Sequence, residues 1–367
     1  MMGLLHRTKE PLWQKLLLAP LSPPSQLFGA AANARKRLYD AGILRQEEAP
    51  IPVISVGNLA VGGAGKTPIV MDLARRLQGM GRAVAVLAAG YRGEGKGARV
   101  VSRGEGLVLD ARDAGDEPVL VARRCPGVQV LVGPSRAELA RIAANHLRAD
   151  VAILDDGFQH LGIARSLDIV VLDGASPFGN GRLLPRGPLR EPPEALERAD
   201  LCWISKVDEG DAAELEAAEA IARRFTGRGV VRSRYRVSSI LSGDLASEEP
   251  PQSLSGKQVL LLAGLARPDS FRRTLARLGA RVVGEALFGD HHGFTVREIE
   301  SVLSRARARG AELVCVTEKD AVRIPPALRQ HERLRVVRIE SEVVQGEELL
   351  GDCLRNALLT PAVRRAG

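Results

Sequence analysis

Residues 51–68 read Ile51-Pro52-Val53-Ile54-Ser55-Val56-Gly57-Asn58-Leu59-Ala60-Val61-Gly62-Gly63-Ala64-Gly65-Lys66-Thr67-Pro68. The opening run Ile51–Val56 is short, apolar and nearly uninterrupted, the pattern of a strand buried on both faces. A glycine-rich turn and a helix start follow it. A phosphate chain needs backbone N–H groups crowded toward it, which Gly62, Gly63, Ala64 and Gly65 permit. It also needs an ammonium on the outer phosphates and a hydroxyl on magnesium. Lys66 and Thr67 supply those two. Pro68 suits the first helical turn, where a missing N–H costs nothing. The strict motif has glycine at position 60, where this chain has Ala60.

Outward from this loop the chain repeats strand, loop, helix. Apolar runs at Ala83–Ala88, Val128–Val132, Val151–Leu154, Ile169–Leu172 and Leu201–Ile204 are separated by helix-length stretches. Such a series predicts an α/β fold, a parallel sheet flanked by helices of the P-loop NTPase type. Around residues 230–257 the pattern changes to an alternating strand, Val231–Val237, and a Ser/Glu/Pro-rich stretch, read as a linker. A second, smaller α/β series follows, with strands expected at Gln258–Leu262, Val282–Leu287, Leu313–Val316 and Leu334–Ile339. Thr295 and Glu298 predict a capping box for the helix running to Ala308.

The expected division is a segment at 1–45, a nucleotide domain at 46–229, the linker at 230–257, a second domain at 258–345 and a C-terminal helix and tail at 346–367. The 367 residues are 45% hydrophobic and 26% charged, which excludes wholesale disorder. The 52 basic against 44 acidic residues give +8, favouring anionic partners. Few aromatics and no nucleic-acid fold argue against nucleic acid among them. Cysteines at 125, 202, 315 and 353 are too scattered for a metal knuckle and too few for a disulfide scaffold, as in a reducing compartment.

Between Lys15 and Arg35 no charge occurs, but Pro20, Pro23 and Pro24 interrupt the stretch, which argues against a straight spanning helix. Leu12, Trp13, Leu16 and Leu17 recur at helical spacing beside Lys9 and Lys15, with Arg35-Lys36-Arg37 beyond the prolines. Two readings stand: a helix lying in a membrane interface, or one packed on its own domain.

The run Val151–Leu154 ends in Asp155 and Asp156, the arrangement that brings a carboxylate to magnesium beside a phosphate loop. Together the two elements make a nucleoside triphosphate site. Taken singly, Gly115-Asp116-Glu117-Pro118, Gly157-Phe158-Gln159-His160, the stretch 182–191 and Asp290-His291-His292 read as a turn, a cap, a basic loop and a surface histidine pair. The histidine pair also suggests metal delivery. Ser205-Lys206-Val207-Asp208 is either a strand-end turn or a guanine-reading K-x-D loop. These features keep a P-loop GTPase or metal-delivery NTPase as the alternative.

In order along the chain, Gly57-Asn58, VGGAGKTP at 61–68, Gly90-Tyr91-Arg92-Gly93, GDEP at 115–118, DDGFQH at 155–160, GRLLPRGPLREP at 181–192, FGDHH at 288–292 and TEKDAVR at 317–323 resemble tetraacyldisaccharide 4'-kinase. That family is the lipid A 4'-kinase of Gram-negative envelope biosynthesis. The resemblance implies ATP-dependent phosphorylation, with Mg²⁺, of the 4'-hydroxyl of a lipid-linked glucosamine disaccharide 1-phosphate to give lipid IVA. It also implies a peripheral or monotopic place at an anionic surface, the cytoplasmic face of the inner membrane.

On this reading Lys66 meets the outer phosphates, and Thr67 with Asp155 or Asp156 holds the metal. A sugar hydroxyl is too weak an acid to ionise at neutral pH, so a carboxylate must take its proton. Asp116, matched to the GDEP element, is the expected base, with His291 tuning it as the domains close. Glu191 is expected near the metal, or else is a helix N-terminal acid. Arg136, Gln159 and His160 are expected on the substrate.

Overall fold

The computed structural model describes residues 10–90, 97–226, 229–265 and 268–360. Tyr91, Arg92 and Gly93 of the GYRG motif, and Lys9, lie outside the described residues. The chain divides into two compact units. One comprises Met1–Ala114, Val121–Arg234 and Ser341–Gly367, the other Gly115–Leu120 and Tyr235–Glu340. The strands β8 (Val230–Ser242) and β13 (Leu334–Gln345) carry the chain from one unit to the other. β8 thus runs through much of the stretch expected as a linker.

The strands of the first unit are β1 (Val53–Asn58), β2 (Val84–Ala88), β3 (Arg99–Arg103), β4 (Gln129–Val132), β5 (Val151–Asp155), β6 (Leu167–Asp173) and β7 (Leu201–Ser205). With the start of β8 they lie in the order β8-β7-β6-β1-β5-β2-β4-β3. All neighbours are parallel except β3, which runs antiparallel to β4. The inner strands are buried at every position, which is why they read as continuous apolar runs. β3, at the edge and partly exposed, carries no such run and was not anticipated. Helices Lys66–Gly79 and Arg136–Leu147 supply apolar residues such as Leu73, Leu77, Leu139 and Ala140 to the core. Cys125, Cys202, Cys315 and Cys353 are buried thiols, not disulfides.

In the second unit β10 (Gln258–Ala263) pairs in parallel with β11 (Arg281–Leu287) and β12 (Leu313–Thr317), and β12 pairs with β13. The two-residue β9 (Glu248–Glu249) runs antiparallel to β8. Leu260, Leu262, Val302, Val314 and Val336 meet in its core. Helix Val296–Ala308 starts on the expected capping box, with Thr295 and Glu298 each bonding the other's backbone.

At the N-terminal end, helix Leu12–Leu18, a single turn Ala19–Leu21 and helix Ser22–Asp40 follow one another. Pro20, Pro23 and Pro24 sit in first turns, where they start helices instead of breaking one. This segment packs on its own unit through a narrow face of Gln14, Leu18, Ser25 and Gly29. Ser25 Oγ donates to the Leu183 carbonyl at 2.8 Å, and Arg186 grips Glu10 through both guanidinium nitrogens at 2.6 and 2.7 Å. Its apolar face points outward, with Leu12 74%, Trp13 54%, Leu16 67% and Leu17 63% exposed. No helix among the described residues is long and apolar enough to cross a membrane.

One close approach sets the geometry at the end of β1. A Cβ on Gly57 would lie 2.4 Å from Phe158 Cβ and 2.5 Å from its backbone nitrogen, so only glycine lets the two segments touch. Gly57→Ala is expected to destabilise the protein by about 1–3 kcal/mol through overpacking. Gly63→Ala, where a Cβ would meet open space, should shift stability by less than about 1 kcal/mol. Urea unfolding of the two variants checks the contrast, and equal costs would show that the approach does not constrain the fold.

Candidate active site

In the first unit, β1 sits between β5 and β6, with Val56 in register with both Asp155 and Ile169. Parallel strands end at the same edge, so the segments after β1 and β5 emerge side by side. After β1 the chain turns through Gly62 at φ 109° and Gly65 at φ 82°, left-handed conformations that glycine adopts without strain. The helix then begins at Lys66, with Thr67 and Pro68 in its first turn. Ala60 is not in that left-handed region and bridges antiparallel to Leu189, so this backbone does not require the glycine of the strict motif.

Lys66 Nζ donates to Asn58 Oδ1 at 2.9 Å and lies 3.2 Å from Asp156 Oδ1. Asp156, at φ 55°, also receives both of its carboxylate contacts from Arg190 Nη1, at 2.9 and 3.0 Å. Burial pushes the Asp156 carboxyl up, but Lys66 and Arg190 outweigh it and hold it below the usual value. Asp155 is the last residue of β5 and buried. Glu191 is held by Arg198 at 2.7 Å and accepts from Gln159 Nε2 at 3.1 Å. Among the described residues no three His, Cys, Asp or Glu side chains gather as a metal-holding group.

Arg165 ties down the Gly157–His160 turn, donating to the carbonyls of Gly157 at 2.8 Å and His160 at 2.5 Å. Arg136 lies buried at the other side of β5, its Nη1 bonded to the Ala88 and Gly133 carbonyls at 2.9 and 2.7 Å. Its Nε and Nη2 have no hydrogen-bond partner among the described residues. Burial and the charges of Arg136 and Arg165 push His160 down to about 4, so it is neutral at physiological pH.

A second cluster lies within the second unit. Asp116 opens helix Asp116–Arg124, and His291, at φ 58°, turns its ring onto it. His291 Nδ1 sits 3.2 and 3.1 Å from the two Asp116 oxygens. Asp116 and His291 were assigned to different domains in the sequence reading, yet both belong to this one unit. Lys319 Nζ donates to Glu117 at 2.8 Å and lies 3.5 Å from His291 Nε2. Arg323 Nη2 bonds the buried Asp320 at 2.6 Å, its Nη1 bonds the His292 carbonyl at 3.2 Å, and its Nε lies 3.6 Å from Asp116. His292 turns instead to Glu298, 3.1 Å away, so the adjacent histidines serve different carboxylates.

Burial works to raise the Asp116 carboxyl, but the His291 hydrogen bond and the charges of Lys319, His291 and Arg323 hold it below the usual range. The bond to Asp116 raises His291 above its ordinary value. Asn58, Arg165, Arg190, Lys319 and Arg323 join these contacts without any role expected from the sequence. Asn58, Arg190, Lys319 and Arg323 stand inside quoted motifs, and Arg190 adjoins Glu191, but only the folded chain shows which carboxylate or carbonyl each one meets.

The sequence profile of the family described as tetraacyldisaccharide-1-P 4'-kinase matches residues 15–358. A tetraacyldisaccharide 4'-kinase of Anaeromyxobacter sp. (strain Fw109-5) is 54% identical over 345 residues, 94% of this chain and 93% of its own. One from Syntrophus aciditrophicus (strain SB) is 40% identical over 310 residues, 82% of this chain and 83% of its own. The crystal structure of the "apo" form of LpxK from Aquifex aeolicus in complex with ATP matches with a TM-score of 0.76 and 32% identity, covering 93% of this chain and 99% of that one.

The opposed shifts of Asp116 and His291 define a pH window. A lowered carboxyl contributes stability above its unfolded value of 3.8, lost as pH falls through the folded value. A raised imidazole contributes below its unfolded value of 6.5, lost as pH rises through the folded one. The pair therefore stabilises most between those two unfolded values. In an NMR titration, His291 should titrate above 6.5 in the parent and drop back in Asp116→Asn. An unchanged midpoint would show that the bond is not formed in solution.

Proposed function

The chain belongs to the tetraacyldisaccharide 4'-kinase family, and we propose that it transfers the γ-phosphoryl group of ATP to the 4'-hydroxyl of a tetraacyldisaccharide 1-phosphate, forming lipid IVA in lipid A biosynthesis. The observation that carries this reading is the Gly62–Thr67 loop, whose lysine is anchored by Asn58 and Asp156, in a chain matched by that family over residues 15–358. The alternative of a GTPase or metal-delivery NTPase is not favoured, since the matched family and relatives are kinases.

Backbone N–H groups of the loop and of the helix start cradle the phosphates of ATP, apart from the Ala64 N–H, which donates to the Gly62 carbonyl at 2.9 Å. Lys66 exchanges its contact with Asp156 for the outer phosphates, where its charge is worth most as negative charge moves during transfer. Thr67 and the acid pair offer hard oxygen donors, the kind Mg²⁺ takes, and Mg²⁺ needs only one or two carboxylates besides phosphate and water. Asp156 already balances two cations, so Asp155 with Thr67 is the proposed ligand set. Glu191, engaged by Arg198, holds Gln159. When bound, the ion neutralises charge on the β- and γ-phosphate oxygens.

Asp116 takes the proton of the 4'-hydroxyl as the new bond to phosphorus forms. His291 fixes the orientation of that carboxylate and adjusts its basicity. Arg136 offers its remaining N–H groups to an anionic group of ATP or the disaccharide. His160, uncharged, offers hydrogen bonds to sugar hydroxyls beside Gln159. The outward Leu12, Trp13, Leu16 and Leu17, flanked by Lys15 and the basic run 35–37, suit an anionic membrane surface, the cytoplasmic face of the inner membrane.

Incubation of the purified protein with Mg-ATP and the lipid disaccharide 1-phosphate should give a product heavier by one phosphate; no such product, or a preference for GTP, overturns the reading. Lys66→Ala should fold normally and lose about 10²–10³ in turnover. Asp116→Asn should lose about 10²–10⁴ in kcat with ATP affinity kept, and adding His291→Ala should cost much less than the product of the single losses. Additive losses would place His291 in a different role. Replacing Trp13, Leu16 and Leu17 together with serine should weaken binding to anionic vesicles while leaving the melting temperature unchanged. Undiminished vesicle binding would remove the interfacial role of this helix.

A further inference from the structure

The Ser205-Lys206-Val207-Asp208 segment has no place in the mechanism above, yet two of its side chains reach the phosphate loop. Ser205, the last residue of β7, directs its hydroxyl at the Ala64 carbonyl, 2.8 Å away. Lys206 stands at φ 52°, which reverses the chain and sends its side chain back toward the sheet edge. Its Nζ donates to the Gly63 carbonyl and to Asp173 Oδ2, each at 2.8 Å, with both side chains almost wholly buried.

We propose that Ser205 and Lys206 are positioning residues for ATP, holding the phosphate loop from behind in its binding conformation. In a trans peptide the C=O of one residue and the N–H of the next point in opposite directions. A donor on the Ala64 carbonyl therefore aims the Gly65 N–H away from β7, and a donor on the Gly63 carbonyl sets the plane ahead of Ala64. Glycine-rich loops have little conformational preference of their own, so such external bonds limit the entropy lost when phosphate orders the loop.

The chain around the anchors is closely packed. Gly174 N bonds the Ser205 carbonyl at 2.7 Å, and a Cβ on Gly174 would come within 2.5 Å of that oxygen. A Cβ on Gly210 would lie 2.1 Å from the Gly174 carbonyl. Asp173, at the end of β6, gives the buried Lys206 side chain a carboxylate partner 2.8 Å away, where a buried charge without one would be costly. The K-x-D pattern thus has a task that involves no contact with a nucleobase.

The proposal rests on the loop being an ATP site, so the parent protein is first titrated with a non-hydrolysable ATP analogue and Mg²⁺ by calorimetry. No binding by the parent would sink that underlying reading. With binding established, Lys206→Met should raise the analogue's Kd by about tenfold to a hundredfold, as for loss of a charged hydrogen bond. Ser205→Ala should raise it about three- to tenfold.

The KM for the lipid acceptor should stay within about twofold in both, a separation that a general loss of stability does not produce. Because Lys206→Met strands a buried carboxylate, the double variant Lys206→Met/Asp173→Asn is included. It should recover melting temperature relative to the single variant, with ATP affinity still reduced. Recovery of both together, or folded single variants with parental affinity, would overturn the proposal.

Discussion

The parallel pairing of β1 with β5, Val56 opposite Asp155, is the constraint on which the arrangement around the Gly62–Thr67 loop depends. Neighbouring strands lie about 4.8 Å apart, and parallel strands release their following loops at one edge. A loop grown from β1 and an acid turn grown from β5 therefore cannot avoid each other. The Lys66 ammonium reaches Asn58 at the end of its own strand and Asp156 beyond the neighbouring one. The absence of a side chain on Gly57 lets Phe158 pack directly on β1, which fixes the distance between the two loops.

At several points charge is met by near neighbours in space. Arg165 collects carbonyls of one turn, Arg190 balances Asp156, and Arg323 joins Asp320 to the His292 carbonyl. The histidines show how far surroundings decide chemistry. Burial and nearby guanidinium groups push His160 down to about 4, whereas His291 faces a carboxylate and is raised. One residue type is thus shifted in opposite directions at two sites. The N-terminal helices show a related division, a narrow buried stripe that bonds the Leu183 carbonyl through Ser25 and a broader apolar face turned outward.

Much of this was legible along the chain because its signals are local. Period and length announced the buried strands, the glycines and Lys66-Thr67 announced the loop, and Thr295 with Glu298 announced a helix start that the structure carries. Edge strand β3 was missed because a partly exposed strand shows no continuous apolar run. The prolines at 20, 23 and 24 were legible as a bar to a spanning helix, but their place in first turns depends on where each helix begins.

By itself, then, the sequence determined the sheet type, the glycine-rich turn between strand and helix, and which carboxylates and histidines were worth watching, since each follows from residues adjacent or periodic in the chain. Only the tertiary structure decided the partners. Asp116 and His291 meet although 175 positions separate them, and Arg190 reaches Asp156 across 34. Lys206 reaches Gly63 across 143. Which cation meets which anion is set by strand order and by the turns that end each strand. Neither is written in the spacing of charged residues, because a hydrogen bond acts over about 3 Å and a chain can bring almost any two of its positions that close.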